Sequence, residues 1–326
     1  MNNNILVIGG AGYIGSHVTL EFCEKSQNVY VFDDLSTGHI ENIDPRSEFI
    51  NGSILNIIDL ESVFKKVKPS SIVHLAALKG AGESMDNPAS YSETNIIGSL
   101  NILNTMVKYG VENIVFSSTA AVYGEPDYFP VDEKHPTNPI NFYGYTKKSI
   151  EDFIIWYSKL KGINYAILRY FNAAGYDSKG RIKGLEKKPQ NLLPIIMEVL
   201  INKRSELNIF GNDYNTADGT CERDYIHVSD LASAHYLSYQ KLLSNNENIL
   251  LNLATGEKYS VLDVINGCEK YLNKIIKYKF TNRRNGDSGV LFSKSSLAET
   301  ELRWKPQNSD LKNLLTSMYN IYKNRV

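Results

Sequence analysis

The chain has 326 residues, 42% hydrophobic and 22% charged, a balance typical of globular proteins that excludes intrinsic disorder. This length suits one or two domains built around a large sheet. With 35 basic and 36 acidic residues the formal net charge is -1, so the basic excess of duplex-binding proteins is missing. We therefore expect no nucleic-acid partner.

The cysteines and the N-terminus bear on the compartment. Cys23, Cys221 and Cys268 are widely spaced and odd in number, which is typical of reduced thiols rather than a disulfide framework or a metal site. The segment Met1–Asn4 lacks a basic region and is followed by no long apolar run. Because no stretch approaches the ~18 apolar residues of a membrane span, the sequence predicts a cytoplasmic protein without membrane contact.

Short apolar runs alternate with helical patterns in the first half. The predicted strands are Ile5–Ile8, Val29–Phe32, Ile72–Ala77, Ile114–Ser117 and Ala166–Leu168. The predicted helices are Gly12–Lys25, Ile57–Val67, Ala89–Tyr109 and Tyr143–Lys161. This alternation predicts an α/β fold with a Rossmann-type doubly wound parallel sheet, covered by helices on both faces.

The second half has a different character. Glycine, proline and polar residues are dense from Asn172 to Tyr225, which suits loops that close over a ligand. Helical patterns return at Leu192–Lys203, Val228–Leu243, Val261–Leu272 and Leu311–Lys323. We predict a dinucleotide-binding domain over residues 1–171 and a smaller C-terminal α/β substrate-binding lobe over 172–326. The helix near 228–243 is expected to pack back onto the first domain.

Glycines at positions 9, 12 and 15 form a GxxGxxG pattern between the first strand and the first helix. Such glycines permit a tight turn and let the backbone approach a pyrophosphate. The helix then begins at Tyr13 and Ile14, where free N–H groups favour an anion. Gly9, Gly12 and Gly15 are therefore predicted to bind a dinucleotide together with these two residues.

An acidic residue completes this motif. Asp33 lies 18 positions after Gly15, at the end of the second predicted strand. A carboxylate there accepts the ribose hydroxyls of adenosine and repels a 2′-phosphate. The following residues contain no Arg that would bind such a phosphate, so the pattern favours NAD over NADP.

A possible acid–base site combines Tyr143 and Lys147, four residues apart at the start of a predicted helix. Residues i and i+4 share a helix face, so we expect the Lys147 ammonium near the Tyr143 phenol. A nearby cation lowers the pKa of a phenol, which is otherwise near ~10. The hydroxyl-rich segment Ser117–Gly124, which includes Thr119, ends a strand where parallel sheets bind ligands.

With these motifs the chain resembles the extended short-chain dehydrogenase/reductase family, and within it the epimerases acting on C4 of UDP-linked hexoses. The resemblance runs nearly end to end. It rests on the segments Gly9–Ser16, Val73–Ala77, Ser117–Gly124, Tyr143–Lys147, Leu168–Gly175, Ile209–Tyr214 and Asp218–Val228. It implies an NAD-dependent interconversion of UDP-glucose and UDP-galactose through a 4-keto intermediate.

The resemblance also implies residue roles. Tyr143 would take the O4 proton, Lys147 would hold the nicotinamide ribose and Thr119 would hydrogen-bond O4. Further cofactor positions are Ser53, Lys79, Asn95 and Tyr170, and further UDP-sugar positions are Lys79, Asn172, Asn191, Arg223, Arg284, Asp287 and Leu291. Arginine suits a diphosphate because its planar fork donates two parallel hydrogen bonds. An ordinary surface salt bridge is the alternative for Arg284 and Asp287.

Two positions depart from the family pattern. Where many relatives have Gly-Asp after the third strand, this chain has Gly52-Ser53, whose hydroxyl could still bond the adenine amino group. Leu291 aligns loosely with a gatekeeper that is a large Tyr in enzymes strict for UDP-glucose. A smaller Leu leaves room for a 2-acetamido group, so we expect activity on UDP-N-acetylglucosamine and UDP-N-acetylgalactosamine as well.

Other functions occur on the same scaffold. The related sugar-nucleotide dehydratases typically carry an acidic pair after the Thr, and the decarboxylases a Glu before Val-Tyr-Gly. Here those positions are Ala120 and Ala121, which cannot transfer a proton. A non-catalytic NAD-binding relative commonly loses the Tyr/Lys pair that this chain retains. The two alanines favour epimerisation most strongly.

The family is commonly a homodimer that pairs two helices per subunit, here the segments Ala89–Tyr109 and Tyr143–Lys161. Ile154, Ile155 and Tyr157 suit either that interface or the core. Two histidines fall in the matching segments, His74 and His227, yet neither has metal-ligand spacing with another His or Cys. We predict structural or supporting polar roles for both and no metal site.

Overall fold

The structure is a computed structural model that describes residues 3–25, 27–245, 247–284 and 286–325. The prediction that no signal peptide is present concerns Met1 and Asn2 in part, and these two lie outside the described residues. Among the helices of the described ranges, none combines the length and hydrophobicity that a bilayer span requires.

Fourteen strands are formed by the described residues. In chain order they are Asn4–Ile8 (β1), Asn28–Asp33 (β2), Glu48–Asn51 (β3), Ser71–His74 (β4), Asn113–Thr119 (β5), Asn164–Tyr170 (β6), Asn172–Ala174 (β7), Leu207–Phe210 (β8), Glu222–Arg223 (β9), Tyr225–His227 (β10), Ile249–Leu253 (β11), Tyr259–Ser260 (β12), Tyr278–Thr281 (β13) and Val290–Leu291 (β14).

Eleven α-helices accompany the strands over the same described ranges. They are Tyr13–Glu24 (α1), Ile57–Val67 (α2), Ala81–Asp86 (α3), Pro88–Tyr91 (α4), Gly98–Tyr109 (α5), Phe142–Lys161 (α6), Leu192–Leu200 (α7), Val228–Asn245 (α8), Val261–Leu272 (α9), Ser296–Leu302 (α10) and Leu311–Tyr322 (α11). A π-helical segment, Ser92–Ile97, joins α4 to α5. The helix predicted over Ala89–Tyr109 is therefore continuous but locally widened.

Seven of the strands form one parallel sheet in the order β11-β6-β5-β4-β1-β2-β3. The chain runs outward from β1 in one direction through β2 and β3, then returns and runs the other way from β4. Loops leaving β1 and β4 consequently diverge, which opens a crevice at the carboxyl edge of the sheet. The predicted Rossmann-type sheet is confirmed.

Alternating side chains of the central strands fill two separate cores. Ile5 and Val7 face a cluster that includes α1 and α8, whereas Leu6 and Ile8 face one that includes α2, α5 and α6. All four are fully buried. A strand covered on both faces reads as a continuous apolar run, which is why the sequence revealed it.

The predicted domain boundary at residue 171 does not separate the sheet from the rest of the chain. Strand β11 pairs in register with β6 and forms one edge of the seven-stranded sheet. Helix α8 packs on α1, where the rings of Tyr236 and Tyr239 each lie 5.4 Å from that of Phe22. Residues 228–253 thus return to the first core, and the strands β3 and β11 were absent from the sequence-based prediction.

The remaining C-terminal elements form a second core. Apolar residues of α7, α9 and α11 make one buried cluster together with β8. Three small sheets border it, with the orders β10-β7, β12-β9-β14 and β13-β8. Strand β7 follows β6 after a single residue, so the second lobe begins directly at the carboxyl edge of the large sheet.

Candidate active site

The turn after β1 accepts glycine alone at two of its positions. Gly9 has φ +86°, and a Cβ there would lie 2.5 Å from the backbone nitrogen of Ala76. A Cβ on Gly15 would overlap the carbonyl oxygen of Gly9, so helix and turn touch through their backbones. Gly12 is the N-cap of α1, and within the described part of the chain no side chain caps it. The first N–H groups of α1, from Tyr13 and Ile14 onward, are thus available for an anion.

Asp33 lies against this turn. Its Oδ2 accepts a hydrogen bond from the Ala11 N–H at 2.9 Å, and its Oδ1 accepts one from the Leu35 N–H at 2.8 Å. Burial raises the pKa of Asp33, while these two hydrogen bonds oppose the rise. Each carboxylate oxygen keeps a second lone pair for a ribose hydroxyl, so the residues present fit the adenosine half of a dinucleotide.

Ser53 is at the same edge of the sheet. Its hydroxyl donates to Oδ2 of Asp34 at 3.4 Å, and its N–H donates to Oδ2 of Asp59 at 3.1 Å. The hydroxyl is close to the loop that carries Asp33, where the resemblance expects an adenine contact. That contact with adenine stays a prediction.

Residues 184–190 cross this groove, and we call them the strap. They lie within the stretch Asn172–Tyr225, which the sequence predicts as loops that close over a ligand. On one side the Lys187 ammonium donates to the carbonyl oxygens of Leu35 and Ser36, at 2.9 and 3.2 Å, in the loop after β2. On the other side Glu186 forms an ion pair with Lys79, at 2.6 Å, in the loop after β4. Because β1 lies between β2 and β4, the strap spans the glycine turn.

The strap is held at both of its ends. The Gly184 N–H donates to Oδ1 of Asn42 at 2.7 Å, and the Gln190 amide donates to Oε2 of Glu83 at 3.0 Å. Lys79, predicted to contact cofactor and substrate, is therefore a strap contact, and its ammonium also lies 5.5 Å from the centre of the Tyr13 ring.

Asn95 fixes the loop after β4 from inside the protein. Its Oδ1 accepts from the Leu78 N–H at 2.8 Å, and its amide nitrogen donates to the Leu78 carbonyl and the Thr146 hydroxyl, both at 3.0 Å. The side chain is fully buried. Asn95 therefore acts on the groove by positioning Leu78 and the adjoining Lys79, and its direct contact with the cofactor stays a prediction.

Tyr143 and Thr119 meet at the carboxyl end of β5. Helix α6 begins at Phe142, and its N-cap Asn141 accepts the Gly144 N–H at 2.8 Å, which fixes the first turn that carries Tyr143. Burial raises the pKa of Tyr143 to about 12, and a hydrogen bond with the Thr119 side chain opposes that rise. A phenol with this pKa needs further positive charge nearby before it can act as a base at neutral pH.

Lys147 lies one helical turn further on and is almost completely buried. Its ammonium donates to the carbonyl oxygen of Ser117 at 2.8 Å and lies 4.9 Å from the centre of the Phe116 ring. Burial lowers the pKa of Lys147 to about 7, and the Glu151 carboxylate opposes that fall. The predicted proximity of the Lys147 ammonium to the Tyr143 phenol stays a prediction, whereas the hydrogen-bond partner of Lys147 is a strand carbonyl that no sequence motif indicates.

Tyr170 adds a second phenol next to this group. Its hydroxyl forms a hydrogen bond with the Ser117 hydroxyl. Burial raises the pKa of Tyr170, and the neighbouring Tyr143 adds to the rise. Tyr170 is thus an uncharged wall of the site at neutral pH.

The predicted diphosphate residues come from the second lobe. Arg223 donates to the carbonyl oxygens of Ser288, Glu222 and Gly289 at 2.7, 2.9 and 3.3 Å. Arg284 donates to both oxygens of Asp287, at 2.9 and 3.0 Å, and its guanidinium lies 5.4 Å from the centre of the Phe210 ring. The salt bridge considered as the alternative is therefore formed, although it does not exclude a substrate contact.

The remaining substrate positions border the same space. Asn172 is paired with Tyr225 at the start of β7, and exposed Asn191 is the N-cap of α7 without a capping hydrogen bond from any described side chain. Leu291 is 9% exposed and belongs to an apolar cluster with Ala120 and Phe171. An apolar wall thus faces the end of β5 from the second lobe.

Both histidines have protein partners. His74 Nε2 is 2.8 Å from the Ser99 hydroxyl, and burial, with Lys147 as the second cause, lowers the pKa of His74 to about 3. His227 Nδ1 accepts the Ser229 N–H at 3.1 Å. Throughout the described ranges no group of three or more His, Cys, Asp or Glu side chains is arranged to hold a metal ion.

A phenol, a threonine hydroxyl and a buried ammonium beside a dinucleotide groove are typical of enzymes that exchange a hydride between a nicotinamide and a hydroxyl-bearing carbon. The chain belongs to the NAD dependent epimerase/dehydratase family, which matches residues 5–254. The predicted family and its cofactor, NAD, are thereby confirmed.

Similar proteins cover almost the whole chain. A UDP-glucose 4-epimerase of Halalkalibacterium halodurans is 41% identical over 319 residues, which are 98% of this chain and 95% of that protein. The structure of UDP-glucose 4-epimerase from Brucella ovis in complex with NAD has a TM-score of 0.95 at 34% identity and covers 98% of both chains. The UDP-Glc/GlcNAc 4-epimerase from Campylobacter jejuni has a TM-score of 0.85 at 35% identity and covers 99% of both.

The strap should slow the release of the dinucleotide. Replacing Lys187→Met removes the two hydrogen bonds to the loop after β2. We expect bound NADH to dissociate about threefold to tenfold faster, since hydrogen bonds of this kind contribute about 0.5–1.5 kcal/mol. The dissociation rate is measured from the decay of the fluorescence of bound NADH after the protein is mixed with excess NAD.

The matched control is Lys188→Met, an exposed neighbour for which the described residues provide no hydrogen-bond or ion-pair partner. Equal dissociation rates for Lys187→Met, Lys188→Met and the unchanged chain would show that the strap does not retain the dinucleotide.

Proposed function

We propose that this protein is an NAD-dependent 4-epimerase that interconverts UDP-glucose and UDP-galactose through a 4-keto intermediate. One observation carries the proposal: Tyr143, Thr119 and Lys147 converge at the carboxyl end of β5, beside a groove that fits a dinucleotide. The activity named for the relatives with near-complete coverage supports it.

The proposed chemistry assigns proton transfer to this chain. Tyr143 takes the proton of the sugar O4. The Thr119 hydroxyl, which is hydrogen-bonded to Tyr143, orients O4 by a hydrogen bond of its own. Lys147 stabilises the phenolate by its positive charge. NAD, when bound, supplies the acceptor of the C4 hydride and returns it afterwards. Return of the hydride to the opposite face of the ring, with return of the proton from Tyr143 to O4, inverts C4.

The second lobe would hold the nucleotide while the sugar turns. Arg223 and Arg284 are already oriented by carbonyl oxygens and by Asp287, so little side-chain entropy is lost when a diphosphate binds. Asn172 and Asn191 supply amide groups for the uridine end. The wall formed by Leu291 and its neighbours offers the sugar no directed hydrogen bond, which suits a group that must rotate.

The rival reactions lack their acids in this site. A dehydratase or a decarboxylase needs a proton donor at position 120 or 121, and both are alanine. Ala120 is buried in the apolar cluster with Leu291. A non-catalytic role gives no reason for burying the Lys147 ammonium beside Tyr143. Epimerisation is the reaction that these residues support best.

Turnover without added cofactor is the first expected result. Purified protein given UDP-galactose alone should form UDP-glucose, because NAD remains bound between cycles. The conversion is measured by proton NMR of the anomeric signals. Tyr143→Phe should lower kcat by about 10²- to 10⁴-fold, the usual contribution of a general base.

Tyr165→Phe, a phenol in β6, is the matched control and should retain full activity. The proposal would be contradicted by unchanged turnover in Tyr143→Phe, or by an inactive wild-type chain that holds stoichiometric NAD.

We propose further that the enzyme also accepts N-acetylated UDP-hexoses. Leu291 lies in β14 and contacts the cluster that contains Ala120, directly after Thr119. The similar Campylobacter jejuni protein, named for both sugar types, supports this breadth. A leucine at this wall leaves more space than tyrosine for a substituent on C2.

Leu291→Tyr should therefore lower kcat/KM for UDP-N-acetylglucosamine at least about tenfold more than for UDP-glucose, a difference of about 1.4 kcal/mol. Leu291→Met conserves the volume and should leave the ratio of the two kcat/KM values unchanged. Absence of UDP-N-acetylgalactosamine turnover in the wild type would reject the broader specificity.

We also propose a homodimer formed through α5 and α6. Three large side chains lie along one face of α6, Tyr145, Trp156 and Leu160, and the last two are 58% and 68% exposed. Ile97, just before α5, is 50% exposed. Ile154 is fully buried and belongs to the core, whereas the Tyr157 hydroxyl donates to Asn104 between the two helices. A second copy would cover this apolar face.

Trp156→Glu should convert the dimer to a monomer in sedimentation velocity, because a charge would replace the largest apolar contact. Ile275→Glu, an 82% exposed position outside both helices, is the control and should stay dimeric. A monomeric wild-type chain would contradict the proposed dimer.

We propose that the enzyme works in the cytoplasm. All three cysteines, Cys23, Cys221 and Cys268, are unpaired thiols within the described residues. Two of them are buried in apolar clusters, and such cysteines persist in reducing compartments. UDP-sugars as substrates agree with this location.

A further inference from the structure

Helix α6 carries a third ionisable group on the face of Tyr143 and Lys147. Glu151 follows Lys147 by one helical turn and is 1% exposed. Its Oε1 accepts hydrogen bonds from the Ser118 hydroxyl at 2.5 Å and from Arg169 Nε at 2.9 Å, and its Oε2 accepts one from Arg169 Nη2 at 2.5 Å. Such a bidentate pair is rigid in geometry as well as charged.

The contact with Ser118 sets the position of both neighbours of that residue. The carbonyl oxygen of Ser117 accepts a hydrogen bond from the Lys147 ammonium, and the hydroxyl of Thr119 is hydrogen-bonded to Tyr143. Glu151 is thus bonded to the residue between the two, and it holds the end of β5 on α6 in the register that brings the three reactive groups together.

Arg169 extends this attachment across the sheet. Its Nη1 donates to the Tyr123 hydroxyl at 3.1 Å, and that hydroxyl donates to Oδ1 of Asn252 at 2.7 Å. The network therefore joins α6, β5, β6 and β11. The buried Glu151 carboxylate joins this rigid frame to the catalytic helix.

The charges around Lys147 give Glu151 a second effect. The described titratable groups that act on Lys147 or Tyr143 are His74 on β4, Glu151 on α6, Tyr170 on β6 and Tyr91 on α4, and Arg169 on β6 is paired with Glu151. The pKa of His74 is lowered to about 3 and burial raises the pKa values of the three tyrosines, so these four are neutral at neutral pH. Glu151 and Arg169 are the fixed charges that remain in this group.

We propose that Glu151, paired with Arg169, is a positioning residue that holds β5 against α6 and keeps the Lys147 side chain protonated during the reaction. This inference rests on the proposed function for its catalytic consequence. Its structural part concerns the charge of one lysine and does not depend on turnover.

The test is the titration of Lys147 in the holoenzyme with Glu151→Gln. This variant keeps the acceptor for Ser118 and removes the charge. In protein labelled with [13Cε]lysine, the NMR signal of Lys147 is identified by its absence in Lys147→Met. We expect the pKa of Lys147 to fall by about one pH unit or more relative to the unchanged holoenzyme, because an opposite charge is lost and Arg169 is left unpaired.

The pH profile of kcat/KM should change with the titration. Activity that needs the ammonium is lost as pH rises through the pKa of Lys147, so the alkaline limb should move to lower pH by the same amount. Glu151→Gln/Arg169→Gln removes both charges and leaves no unpaired buried guanidinium, and it should fold if the single variant does not. Its Lys147 pKa should lie between those of the wild type and the single variant.

Glu198→Gln is the matched control, because Glu198 is also a buried carboxylate bonded to basic side chains, on α7. It should leave the Lys147 titration unchanged. An unchanged Lys147 pKa in both Glu151 variants would overturn the proposal, as would equal shifts in Glu198→Gln. A wild-type chain without epimerase activity would contradict the proposed function alone, while a Lys147 shift in that chain would still support the role of Glu151.

Discussion

The attachment of helix α6 to the carboxyl end of β5 is the interaction on which the site depends. Lys147 donates to the Ser117 carbonyl, and Tyr143 shares a hydrogen bond with Thr119, so two residues of the strand fix two residues of the helix. Burial alone would disfavour both charged forms, since it raises the pKa of the phenol and lowers that of the ammonium. The proposed reaction therefore requires that strand and helix hold each other in one register, and we infer that the buried pair of Glu151 and Arg169 keeps that register.

The dinucleotide groove beside Tyr143 and Lys147 follows from the topology of the sheet. Reversal of strand order at β1 and β4 opens the crevice, and the contact between Gly15 and the Gly9 carbonyl brings the start of α1 to its floor. The strap then joins the loops on either side through Lys187 and Glu186. In the proposed reaction, a cofactor retained by the strap would accept a hydride and return it within one binding event, which a reaction without net oxidation requires.

The sequence predicted those features that depend on local spacing. The glycine turn, Asp33 and the helical pair Tyr143 and Lys147 were visible because steric demand or the i, i+4 geometry restricts the residue type. Strand β11 was missed because a short apolar run such as Ile249–Leu253 is equally compatible with a buried helix, and its pairing with β6 is distant in the chain. Lys187 of the strap and Lys147 both donate to backbone carbonyls, which every residue supplies, so no residue pattern marks these two contacts. From the sequence, an acidic residue on a helix such as Glu151 is expected to face solvent. Its burial becomes visible only when the strand that contains Ser118 is packed against the helix.

The central claim is that one carbon of the sugar gives up a hydride and receives the same hydride back inside the closed groove. The most direct measurement follows the deuterium of UDP-galactose labelled at C4. The labelled sugar is incubated with the enzyme in ordinary water that contains unlabelled NADH. UDP-glucose should form with the deuterium retained at C4. Product with hydrogen at C4, from solvent or from the added NADH, would contradict a hydride transfer confined to the enzyme.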